Sequence, residues 1–86
     1  MGHQSSISHL LVAYNHIMNV MVEISKNIKT MIDTSGKNLT KIALEIGVAR
    51  QTVSRYYAGK KFPSFDTLIK LCRALDCTYE DILGPL

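Results

Sequence analysis

Residues 38–59 read NLTKIALEIGVARQTVSRYYAG. Leu39, Ile42, Ala43 and Ile46 fall at i, i+3, i+4 and i+7, which places them on one face of a short helix. Asn38 stands just before that helix as an N-cap, because its side-chain oxygen can accept one of the orphan amide hydrogen bonds. Gly47 ends the helix, since glycine adopts the left-handed conformation that a helix C-terminus needs. Val48 follows and is placed to plug the corner. A second helical pattern runs from about Arg50 to Tyr57, with Val53 and Tyr56/Tyr57 facing inward. Its outward face carries Arg50, Gln51, Thr52, Ser54 and Arg55, and Gly59 stops it.

Two helices joined by a three- or four-residue turn containing glycine make a helix-turn-helix unit. Arg and Gln at the start of the second helix suit a major groove. Arg can meet guanine O6 and N7 with two hydrogen bonds, and Gln can do the same at adenine N6 and N7. The stretch resembles the Cro/C1-type (XRE) family of helix-turn-helix regulators. The likeness continues through GKKFPSFDTLIKLCRALDCTYEDILG, which is similar to that family's two closing helices. It spans about Ile24 to Gly84, roughly two-thirds of the chain. Gly47, Val48, the TVSR segment Thr52–Arg55, the loop from Gly59 to Pro63 and the DILG ending all stand in register.

The resemblance implies an all-α fold: a five-helix, lambda-repressor-like domain over residues 24–86, with residues 1–23 as a helical N-terminal extension. It also implies sequence-specific binding of double-stranded DNA. On the positions that match, Arg50, Gln51 and Arg55 are expected to contact bases. Asn38, Thr52, Ser54, Lys60 and Lys61 are expected to contact phosphates. Four positions depart from the family pattern. Lys37 replaces a small apolar residue, and Leu39 a glutamine that contacts the DNA backbone. Ala49 replaces a Ser or Thr cap, and Asp76 a glycine.

Charge supports this reading. The net formal charge is +3. Residues 1–36 balance Lys26 and Lys29 against Glu23 and Asp33. Residues 37–61 hold Lys37, Lys41, Arg50, Arg55, Lys60 and Lys61 against Glu45 alone, a local net charge of +5. Residues 62–86 are net −2. A basic patch confined to the helix-turn-helix and the loop after it is the footprint expected for phosphate binding.

Eighty-six residues suffice for one small domain with a core. The apolar stretch Leu10–Val22 is too short to span a membrane and lacks the basic flank of a signal peptide. Cys72 and Cys77 are expected to be buried, reduced thiols of a cytoplasmic protein. His9 and His16 are seven apart, wider than the usual metal-binding pair, so no metal site is expected. There is no nucleophile motif, no paired acidic site and no glycine-rich phosphate loop. Neither enzymatic activity nor a cofactor is expected.

At the N-terminus Ile7, Leu10, Tyr14, Ile17, Met21, Ile24, Ile28 and Met31 alternate spacings of three and four, an a/d heptad series. One long helix, or two with a bend near Ser25 to Asn27, satisfies it. Met1–Ser6 is expected to be disordered. A lone helix cannot bury this surface on itself. Either it folds back on its own domain, or Ile7, Leu10, Tyr14, Ile17 and Met21 form a homodimer contact, which is the expectation preferred here.

Further on, Ser64 is expected to cap a helix with Phe65, Leu68, Ile69, Leu71, Cys72 and Leu75 on its apolar side. Thr78 is expected to cap a last helix holding Tyr79, Ile82 and Leu83, ended by Gly84-Pro85. The combined expectation is a dimeric transcriptional repressor that acts by occupying a promoter, since no ligand-sensing or activating segment is recognisable. The competing expectation is a protein-interaction module, toxin-neutralising or phage-regulatory, that uses the apolar N-terminal helix.

Overall fold

Asn38 and Gly47 bound the second of five helices. The structure, a computed structural model, describes residues 2–84, with side-chain surroundings from residue 8 onward. In chain order the helices are α1 (Gly2–Ser35), α2 (Leu39–Ile46), α3 (Arg50–Tyr57), α4 (Phe65–Leu75) and α5 (Tyr79–Leu83). No strand occurs among the described residues. The fold is the all-α, five-helix arrangement that the helix-turn-helix resemblance implies.

The helix ends are set by local chemistry. Asn38 Oδ1 accepts the Lys41 N–H at 2.8 Å. Gly47 is left-handed at φ 73°, and the Val48 N–H reaches back to the Ala43 carbonyl at 3.1 Å. These two bonds satisfy groups that a helix terminus leaves bare. At α4 the Ser64 side chain accepts the Thr67 N–H, and at α5 Thr78 and Asp81 form a complete capping box. Ala49 gives α3 no side-chain cap, as its methyl group requires. Asp76 does what a glycine would do: it holds φ 52° at the end of α4, the one described non-glycine residue at positive φ. Asp is among the few residues that visit this region.

Ile28 and Ile32 of α1 pack with Ile42, Ala43, Ile46, Val53, Tyr56, Leu68, Leu71 and Ile82 into one core. Val48 is half-buried against it, as expected for a corner plug. Two long-range bonds tie the elements together. Asn27 Nδ2 donates to the Ile82 carbonyl at 2.9 Å, joining α1 to α5. Lys37 Nζ donates to Glu45 at 2.9 Å and to the Ala74 carbonyl at 2.6 Å, joining the turn after α1 to α2 and α4.

Several expectations are corrected. Met1–Ser6 was expected to be disordered, but α1 begins at Gly2; residue 1 lies outside the described residues. Of the two forms left open for the N-terminal series, the single long helix is found: α1 runs without a bend near Ser25 to Asn27 for 34 residues, about 51 Å at 1.5 Å per residue. The molecule accordingly measures 56 Å along its longest axis. The first half of α1 does not fold back on the domain, because every residue from Ser8 to Glu23 is exposed. Phe65 is 72% exposed rather than on the apolar side of α4, and Tyr79 is half-exposed. Both open their helices at the first turn, where the chain has not yet reached the core. Cys72 is buried, but Cys77 is only half-buried.

Candidate nucleic-acid interface

α2 and α3 pack on one another around Ile42, Ala43, Ile46 and Val53. Successive residues of a helix turn through about 100°. Val53 and Tyr56 are buried, which fixes the inward side of α3. Gln51 then points almost directly away from the core, with Arg55 one turn further on the same row. Arg50 and Ser54 form a second row beside it. Arg50, Gln51 and Arg55 are exposed, and Thr52 and Ser54 are half-buried. Thr52 leans toward the inward side, so its hydroxyl lies at the edge of the outward face.

Asn38 and Arg50 lie on one hollow of about 390 Å³, also lined by Asp33, Leu39 and Tyr57. It opens where the N-termini of α2 and α3 come close. Asn38 spends its side-chain oxygen on the cap, which leaves its amide nitrogen as the group free to donate outward. Tyr57 OH donates to Asp33 at 2.7 Å, and Lys29 Nζ stands 5.3 Å from the centre of the Tyr57 ring. The bond to the Asp33 carboxylate holds the Tyr57 phenol above its ordinary pKa. These contacts fix the wall of the hollow against α1.

Lys60 and Lys61 are exposed in the loop that leaves α3. That loop is anchored rather than free. Gly59 is left-handed at φ 73°, and the Lys60 N–H bonds to the Arg55 carbonyl at 2.9 Å, a Schellman-type end. A Cβ on Gly59 would stand 3.4 Å from Ser25 Cβ, so the turn also lies close against α1.

Among the described residues, Lys37–Glu45 is the one ion pair. It neutralises the single acidic group of the basic segment. Lys41, Arg50, Arg55, Lys60 and Lys61 make no side-chain hydrogen bond or ion pair among those residues. Lys37 itself is thereby committed to holding the fold. Lys41, exposed on α2 one turn past Asn38, is a further candidate that sequence reasoning passed over. Its signal was present in the charge count but not in the motif.

Of the expected dimer contacts, Leu10, Tyr14, Ile17 and Met21 are 70%, 62%, 56% and 36% exposed. They lie along one side of α1. The side chain of Ile7 lies outside the described residues. No group of His, Cys, Asp and Glu that could hold a metal occurs among the described residues. None of the helices searched is long and apolar enough to cross a membrane. A hollow beside Cys72 and Cys77 is lined by Ile69, Arg73 and Thr78. Burial raises the pKa of both thiols, and that of Cys77 is pushed up to about 12.

Comparison with known proteins agrees with this geometry. A family model described as a Cro/C1-type HTH DNA-binding domain matches residues 27–85, about two-thirds of the chain. No curated protein and no solved structure matches the chain.

Proposed function

Because the chain belongs to the Cro/C1-type helix-turn-helix DNA-binding family, we propose that it is a sequence-specific regulator of transcription, a dimeric repressor that occupies its operator. One observation carries this reading: the outward face of α3 presents Arg50, Gln51 and Arg55 without a partner among the described residues, beside the three further unpaired cations Lys41, Lys60 and Lys61 and two helix N-termini. Structural arginines are normally held by carboxylates. Uncommitted ones on a short, rigid helix suit a ligand that arrives from outside. In this reading Arg50, Gln51 and Arg55 meet base edges. Asn38, Thr52, Ser54, Lys60 and Lys61 meet phosphates and set the register. The bond from the Lys60 N–H to the Arg55 carbonyl and the closeness of Gly59 to Ser25 hold the backbone of the two lysines beside the end of α3.

The bare face of α1 supports the dimeric part of the proposal. Residues 1–23 serve as the pairing segment and residues 24–86 as the DNA-binding unit, working in the cytoplasm without a cofactor or catalysis. The same face favours the second reading, an interaction module for another protein, but that reading leaves the unpaired cations without a role.

Selection of bound sequences from a random duplex pool tests the proposal. Enrichment of a two-fold symmetric site is the expected result, and an unenriched pool with salt-independent retention would contradict it. On the enriched site, Lys60→Ala and Lys61→Ala should each lower the slope of log K against log salt by about 1, with sequence preference unchanged.

A further inference from the structure

Leu10, Tyr14, Ile17 and Met21 do not form a separate seam. Ile24, Ile28 and Ile32 continue the same three-and-four spacing on the same side of α1. Exposure along this stripe falls steadily, from 70% at Leu10 and 62% at Tyr14 to 36% at Met21, then to 1% at Ile28 and 3% at Ile32. The far end is covered by the chain's own α3, α4 and α5. The near end is bare. Nine large apolar side chains between Leu10 and Val22 remain at least 36% exposed. Val12 and Val20 point away from the stripe; the other seven lie on or beside it, with exposed surface on the order of 700 Å² per copy, against about 800 Å² per partner in a standard stable interface. Monomers rarely leave that much bare in one patch.

We propose that the bare half of this stripe docks on the same half of a second copy, with the two α1 helices antiparallel. This rests on the dimer reading given above and adds the direction and register. The direction follows from the position of the domain. From Ile24 onward the domain occupies this side of α1, so two parallel helices meeting through the stripe would bring both domains into the same space. An antiparallel partner brings there only the first turns of its α1, residues 2–7 opposite residues 24–29, so the two axes cross at an angle that carries that end clear of the domain.

The register follows from the stripe itself. Its bare part runs from Leu10 to Met21, with its midpoint between Tyr14 and Ile17. A two-fold rotation about that point sets Tyr14 against the partner's Ile17 and Leu10 against the partner's Met21. Every bare stripe position is then covered once. A groove of about 420 Å³ walled by Met18, Met21, Val22 and Phe62 extends the apolar surface where the partner's Leu10 arrives. The two domains, attached near Ile28, stand about 38 Å apart along the helix axis at 1.5 Å per residue.

The test uses the full chain and paired charges. Tyr14 and Ile17 are more than half exposed, so Tyr14→Glu, Tyr14→Lys and Ile17→Lys should leave the helical circular dichroism and melting of the domain intact. Each variant alone should be monomeric by sedimentation, because a charge would be buried unpaired in the seam. Mixing Tyr14→Glu with Ile17→Lys should restore a heterodimer, since the two charges meet. Mixing Tyr14→Glu with Tyr14→Lys should not. The reverse pattern, or no rescue by the first mixture, overturns the antiparallel register while leaving dimerisation itself standing. A single variant that remains dimeric removes this face from the interface. A wild-type chain that is monomeric at high micromolar concentration defeats the dimer reading as well.

Discussion

The two halves of α1 carry the same apolar spacing and have opposite surroundings. Ile28 and Ile32 are almost wholly buried, whereas Tyr14 and Ile17 on the same side of the same helix are more than half exposed. The periodicity that writes a helix is satisfied in both. What differs is the chain opposite: α3, α4 and α5 face the second half, whereas among the described residues only the loop around Gly59 and Phe62 borders the end of the first. A heptad series therefore specifies a helix and a face to be covered, but not whether the cover comes from the same chain.

The sharpest way to break this comparison is to truncate the stripe at each end. Ile28→Ala should destabilise the fold by about 2–5 kcal/mol at any protein concentration, because it opens a cavity in a sealed core. Leu10→Ala should change the stability of the isolated monomer by less than about 0.5 kcal/mol, as surface substitutions do. Urea melts of both variants at low and high concentration measure this. Equal losses would mean that the two halves are covered alike.

A smaller effect sharpens the description of the body. Asp76→Gly should stabilise by about 0.5–1 kcal/mol, because the left-handed position at φ 52° costs glycine least. The urea midpoint should rise with no change in dimer dissociation, since Asp76 lies far from the stripe.

A further effect concerns pH, and it also belongs to the body. Burial raises the Cys77 thiol from 9.0 to about 12, with Cys72 beside it adding to the shift. The folded state thus holds that proton more tightly than the unfolded chain does. The associated stability is fully present below about pH 9 and is lost as pH rises toward 12. Denaturation midpoints should decline across that window in wild type and decline less in Cys77→Ala.

The legible parts of the fold were those governed by near neighbours in sequence. Asn38 before an apolar face, Gly47 after it and the cap Thr78 act over three or four residues, so their chemistry can be read without a structure; the reciprocal bond from Asp81 was not read. The interior of α3 was legible for the same reason: Val53 and Tyr56 fall where the helical period puts them. What escaped depends on distant residues. Lys37 was legible as a departure from the family pattern, yet its bonds to Glu45 and the Ala74 carbonyl needed α4 in place. Phe65 looked like core because its type and spacing fit, but the first turn of α4 lies beyond the reach of the other helices. Helix α1 was expected to start after a disordered lead, and its continuity from Gly2 has no cap or breaker to announce it.

The candidate site was legible in its chemistry and only partly in its geometry. Arg50, Gln51 and Arg55 could be named from a motif and a helical wheel. The shared hollow of Asn38 and Arg50, and the Tyr57–Asp33 bond that walls it, join residues of different helices. Lys41 was passed over because motif reasoning follows fixed positions, while charge acts wherever the surface brings it.

The central claim is that the outward face of α3 reads base sequence. Gln51 is its most outward residue, and it has no side-chain partner among the described residues. The most direct measurement is the affinity of wild type and Gln51→Ala for the selected duplex and for an unrelated duplex of equal length, at one salt concentration. The account predicts a loss of roughly 1–3 kcal/mol on the selected site and little change on the unrelated one. Equal losses on both duplexes, or none on either, would contradict it.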